Sequence, residues 1–109
     1  MTPHDEQALR DLRRFRATAE RISARGFDAF SDADDDILRL AARSLVINMS
    51  AAVDRLSPEF RARFPQVPWS SVRATRNIVA HAYDQVNDRV IWAAVTVDIP
   101  KLVDLLTSE

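Results

Sequence analysis

The stretch with the most chemical potential is Arg73-Ala74-Thr75-Arg76-Asn77-Ile78-Val79-Ala80-His81-Ala82-Tyr83-Asp84. On an ideal helix, at about 100° per residue, Val72, Thr75, Ile78, Val79 and Ala82 fall on one side. Tyr83, Arg76, Ala80, Arg73, Asp84, Asn77 and His81 spread across the other. Asn77 and His81 form an i, i+4 pair, and Arg76 lies above Tyr83. The four side chains can therefore bound one small concavity, with the small Ala80 at its floor. Cleaving RNA without a metal needs a base for the 2′-hydroxyl proton, an acid for the leaving oxygen, and positive charge on the phosphate. His81 titrates near neutrality and can serve as base or acid, though not as both at one instant. Arg76 matches a phosphate with its two-pronged guanidinium. The plain alternative is a solvated polar helix face with an incidental histidine.

The second histidine, His4, sits near the start of the chain, where fraying is expected. One chain thus supplies half of an acid–base pair. A two-fold dimer that brings two such faces together would provide two histidines and two arginines in one cleft. Arg73 and Asp84 share the face, and Arg73 is a candidate substrate contact.

These residues must be held by helices. From Asp5 to Arg25, Ala8, Leu9, Leu12, Phe15, Ala19 and Ile22 recur at three- and four-residue steps, predicting an amphipathic helix that ends at Gly26. Residues 31–36 offer N-cap and first-turn carboxylates to a long second helix carrying Leu38, Leu45, Val46, Met49, Val53 and Leu56. Ser57-Pro58 predicts a short helix through Phe64. Trp69 to Tyr83 resumes the helical period, and Asn87-Asp88 caps a last helix that Pro100 kinks or divides. No two-residue period competes. The expectation is an all-α bundle of four main helices and a short one, forming a single domain over residues 1–109. Trp69 and Trp92 are expected to fill volume in that bundle rather than stack on bases.

Composition excludes several functions. One glycine in 109 residues leaves no phosphate-cradling glycine loop, and the absence of cysteine removes disulfides, thiol nucleophiles and thiolate zinc sites. Asp32, Asp34 and Asp36 have the alternate spacing that opens a calcium loop. Ile37 and Arg43 stand where that loop needs its glycine and bidentate glutamate, so no metal is expected. A net charge of −1 argues against a general nucleic-acid coat, although all the basic residues except Lys101 are the phosphate-matching arginine. No apolar run approaches a membrane span, and a cytoplasmic protein with no cofactor is expected.

Leu56-Ser57-Pro58-Glu59-Phe60, Phe64-Pro65-Gln66-Val67-Pro68-Trp69, Arg76-Asn77-Ile78-Val79-Ala80-His81-Ala82-Tyr83, Val90-Ile91-Trp92 and Asp98-Ile99-Pro100-Lys101-Leu102 together resemble the HepT-like family of HEPN-domain toxins. The match is dense from about Leu45 to Leu106. It implies a HEPN bundle that dimerises, with Arg76 and His81 of both subunits in a cleft that cuts RNA without metal. Asn77 would position the phosphate or orient the histidine. It also implies a partner, a minimal nucleotidyltransferase antitoxin, that adenylylates Tyr83 and so blocks substrate. Two positions depart from the family pattern. Ser50-Ala51-Ala52 replaces the frequent Gly-Glu-Ala, removing an acid, and Ala82 replaces a frequent glycine. The missing acid favours an alternative, a non-catalytic dimer that binds nucleotide or docks the nucleotidyltransferase.

Overall fold

The computed structural model describes residues 1–81 and 87–108, and only the backbone at positions 75, 76 and 78–81. The described residues form helices and no strands. They comprise α1 (Pro3–Ser23), α2 (Phe27–Phe30), α3 (Ile37–Asp54), α4 (Pro58–Ala62), α5 (Trp69–His81), α6 (Asp88–Ala93), a π-helical turn (Ala94–Asp98) and α7 (Ile99–Leu106). The four main helices are thus α1, α3, α5 and the near-continuous rod from α6 through α7. The described residues form an all-α bundle, as expected.

The first helix starts firmly. Thr2 Oγ accepts from the Asp5 backbone N–H (3.0 Å), and Asp5 returns the bond to the Thr2 N–H (2.9 Å), a reciprocal capping box with Pro3 in the first turn. The expected fraying at His4 is therefore replaced by a capped helix start. The reason lies further along the chain, because the Asp5 carboxylate also accepts from the Ser57 N–H (2.6 Å) and the Ser57 hydroxyl (2.8 Å). Ser57 in turn caps α4 by accepting from the Phe60 N–H (3.1 Å). One fully buried carboxylate thus joins the starts of two helices 52 residues apart. Burial alone would raise its pKa, but the N–H groups of Thr2 and Ser57, aided by both hydroxyls, outweigh it and bring it to about 2.

Helix α3 is the central element, packed against α1, α2, α5 and α6. Ala42, Leu45, Val46, Met49, Ala52 and Val53 are its buried apolar residues. They meet Ala8, Leu9, Leu12, Ala19 and Ile22 of α1, and Ile91, Val95, Ile99, Val103 and Leu106 of the last rod complete the core. Polar ties lie at the rim. Arg55 donates to Asp11 (2.7 Å), whose carboxyl that bond holds below its ordinary pKa, and Arg16 on α1 donates to Asp104 on α7 (2.6 Å) and also pairs with Glu20.

Three local features differ from the sequence expectation. Gly26, at φ 82°, turns the chain into α2, one extra turn of helix. α2 brings Phe27 and Phe30 against Trp92, with ring centroids at 5.7 and 5.0 Å, and Arg89 lies over Phe27 at 4.6 Å. At the start of α3 the bonding carboxylate belongs to Asp35, which accepts from the Ile37 N–H (3.1 Å). Asp36, the N-cap residue, makes no side-chain cap bond. The short helix α4 stops at Ala62, and Phe64 is buried in the turn beyond it.

Pro100 divides the last helix as expected. It has no N–H to donate, and its ring crowds the carbonyl four residues back. The chain responds with the π turn, in which the Ile99 N–H reaches the Ala94 carbonyl, and α7 restarts with the proline in its first turn. Both tryptophans are half-buried against the core, as expected.

Candidate active site on helix α5

Helix α5 is reached through a turn anchored by two buried apolar side chains, Phe64 and Val67. The Val67 N–H donates to the Phe64 carbonyl (3.1 Å). The Pro68 carbonyl then accepts from Ser71 and Val72, which starts the helix without wasting a donor. From Trp69 to His81 the helix is uninterrupted, so positions 73, 76, 77 and 81 take the helical spacing the sequence predicts. At 1.5 Å per residue, position 73 lies about 6 Å along the axis from 77 and about 12 Å from 81.

α5 packs chiefly against α3, and Arg73 on it is exposed. Asn77 is exposed. Arg76 and His81 are placed by backbone alone, five residues and about 140° apart around the same helix. Tyr83 and Asp84 lie outside the described residues, as does Ala82. Ala51, at the point where a carboxylate is absent, is exposed on α3. Among the described residues, no cluster of three or more His, Asp or Glu groups is placed to hold a metal ion. The acidic run from Asp32 to Asp36 instead makes turn bonds, such as Asp32 accepting from the Asp34 N–H (2.9 Å).

Two concavities border α5 on opposite sides. The larger, a groove of about 560 Å³, is lined mainly by apolar side chains including Val46, Met49, Val72, Ile99 and Leu102. Its α5 residues, Ser71 and Val72, lie on the apolar side of the helix, so the larger groove does not border the motif positions. The smaller, about 210 Å³, is lined by Val53, Asp54, Arg61, Trp69, Ser70 and Arg73. Trp69, Ser70 and Arg73 project from the same angular sector as positions 76, 77 and 81, one to two turns earlier. Here Arg73 donates to the Asp54 carboxylate (3.0 Å), while Arg61 donates to the Asp54 and Val53 carbonyls (2.9 and 3.3 Å) at the end of α3. Sequence spacing singled out Arg73 but gave no sign of Arg61 or Asp54. They reach the site through tertiary packing from two other helices.

No helix among the described residues is long and apolar enough to cross a membrane. The model of the family described as "Ribonuclease HepT-like" matches residues 6–108. Three proteins with ribonuclease names are similar. One, of Caldanaerobacter subterraneus subsp. tengcongensis and named as an RNase, is 36% identical over 83 residues, 76% of this chain and 72% of that protein. Another RNase-named protein, of Methanocaldococcus jannaschii, is 32% identical over 68% of this chain and 60% of its own length. A ribonuclease-HepT-named protein of Thermococcus cleftensis is 39% identical over 40% of each chain. No solved structure matches at a significant level. With the family match running over nearly the whole chain, the chain belongs to the HepT-like ribonuclease family.

Proposed function

We propose that this chain is the toxin of a HEPN/minimal-nucleotidyltransferase pair, a metal-independent endoribonuclease that acts as a homodimer. The observation that supports this reading is the continuous helix α5, which carries positions 76, 77 and 81 within about one and a half turns in a member of a ribonuclease family. In the reaction, the 2′-hydroxyl oxygen of the RNA attacks the adjacent phosphorus. A new P–O bond forms as the P–O bond to the 5′-oxygen breaks. Neutral His81 of one subunit takes the hydroxyl proton, and the protonated His81 of the other gives its proton to the leaving oxygen. The products are a 2′,3′-cyclic phosphate and a free 5′-hydroxyl. Arg76 from both subunits stabilises the charge that develops on the phosphoryl oxygens. Asn77 orients the phosphate or the imidazole from the adjacent turn.

The partner nucleotidyltransferase neutralises the toxin by transferring AMP to the Tyr83 hydroxyl. The added phosphate competes for Arg76 and fills the concavity. A cytoplasmic location, where RNA and such a partner are found, follows from this role. The exposed Ala51 favours a second reading, a non-catalytic dimer that binds nucleotide or docks the partner, since no carboxylate stands there to support the cleft.

Growth on induced expression separates the two. Wild type should arrest growth, His81→Ala should not, and co-expression of the nucleotidyltransferase should restore growth. Equal arrest by wild type and His81→Ala would move the binding reading ahead.

A further inference from the structure

The cleft at the junction of α3, α4 and α5 is not part of the acid–base machinery, yet it lies on the same helical sector one turn earlier. Two guanidiniums, Arg61 and Arg73, meet there with a single carboxylate, Asp54. Arg61 is committed to main-chain carbonyls at the end of α3, and Arg73 is held by one bond from Nη2 to Asp54 Oδ1. The lining also carries two buried N–H donors without an acceptor among the described residues, Arg61 Nε and Trp69 Nε1. Buried donors are nearly always satisfied. The cleft therefore holds an excess of donors over acceptors and an excess of positive over negative side chains, which suits an acceptor-only anion.

Its position selects which anion. Arg73 and Asn77 are one helical turn apart, about 6 Å along α5, on the scale of one nucleotide step of an RNA backbone. A strand whose scissile phosphate sits over positions 76, 77 and 81 would carry its neighbouring phosphate back along α5 to Arg73. We propose that the Arg61–Arg73 cleft is a second phosphate subsite, which holds the RNA backbone one nucleotide away from the bond that is cut. The Asp54 carboxylate competes with that phosphate for Arg73. It keeps the guanidinium extended across the cleft in the free protein and is displaced from it when RNA binds. This inference rests on the ribonuclease reading for the location of the scissile phosphate, but its test requires no cleavage.

The test is equilibrium binding of a fluorescein-labelled, fully 2′-O-methylated single-stranded RNA, followed by anisotropy over a range of salt concentrations. Arg73 and Asp54 have side chains 61% and 47% exposed, and circular dichroism checks that each variant is folded. Removing one phosphate contact from a single strand lowers the slope of log K against log salt by about 0.7. Arg73→Ala is expected to show that drop and to bind about five- to tenfold more weakly. Arg73→Lys keeps the charge and should retain the wild-type slope. Asp54→Asn has the opposite sign. It frees Arg73 from an exposed ion pair and should tighten binding about threefold, which a merely structural role for the pair would not produce.

Unchanged affinity and slope in Arg73→Ala, or weaker binding in Asp54→Asn, would overturn the assignment and leave the cleft to a protein partner. AMP titrated into the same complex is expected to displace the RNA only in large molar excess. Displacement at stoichiometric AMP would overturn it in favour of a mononucleotide site. If wild type binds and Arg73→Ala does not, while no RNA is ever cut, the subsite stands and the ribonuclease reading falls. If RNA is cut but Arg73→Ala binds as wild type does, the subsite falls alone.

Discussion

Asp5 offers a direct test of how the bundle is held together ahead of α5. Its carboxylate accepts bonds from Thr2 and Ser57 at the start of α1 and beside α4, and its pKa is lowered from 3.8 to about 2. A difference of that size corresponds to about 2 kcal/mol of folding stability, at about 1.4 kcal/mol per pH unit. The folded carboxyl gives up its proton more readily than the unfolded one. Its contribution is therefore complete above about pH 4 and is lost as the pH falls through 2. Replacing the side chain with alanine removes a cap, about 1 kcal/mol, and strands buried donors on Thr2 and Ser57, at about 1–3 kcal/mol. Asp5→Ala should therefore cost about 2–4 kcal/mol at pH 7 and lower Tm by roughly 10–25 °C in a domain of this length. Asp5→Asn keeps the volume but removes the charge, and should lose the acid slope between pH 4 and 2. Urea unfolding followed by circular dichroism measures both, at fixed protein concentration because dimerisation would otherwise shift the midpoint. An Asp5→Ala midpoint within about 1 kcal/mol of wild type, or an Asp5→Asn variant with the wild-type acid slope, would refute the reasoning.

Other outcomes follow from the same packing and chemistry. Phe30 is fully buried between Phe27 and Trp92, and Phe30→Ala should destabilise by about 3–5 kcal/mol in thermal unfolding. Asp104→Ala breaks an exposed pair with Arg16 and should lower thermal stability only slightly, a difference that high salt removes. Tyr83→Phe has no hydroxyl to carry AMP. Intact-mass measurement after co-expression with the nucleotidyltransferase should show no added nucleotide, and growth should no longer be restored. An AMP adduct on the phenylalanine variant would move the modification to another residue.

The sequence made the long elements legible because their signals are local. The spacing of Leu9, Leu12, Ala19 and Ile22 marks the buried face of α1, Ser57-Pro58 marks the start of α4, and Asn87 caps α6 by accepting from the Arg89 N–H (2.7 Å). Pro100 divides its helix for a reason its ring alone supplies. What the sequence hid depends on distant partners. Asp5 looks like an ordinary first-turn acid until Ser57 arrives 52 residues later. α2 is too short to show a period and exists because Phe27 and Phe30 find Trp92. At the candidate site, the order of positions 73, 76, 77 and 81 was legible because one helix carries them all. Arg61 and Asp54 were not, because they come from α4 and α3 and their approach to Arg73 is a consequence of how three helices meet.

The central claim is that Arg76 and His81 cut RNA by acid–base chemistry without a metal. The most direct test is incubation of RNA with purified, unmodified protein in EDTA, beside Arg76→Ala and His81→Ala, followed by analysis of the new ends. The account predicts cleavage by wild type only, leaving 2′,3′-cyclic phosphate and 5′-hydroxyl ends. Cleavage that stops in EDTA, or that persists in a folded His81→Ala variant, would contradict it.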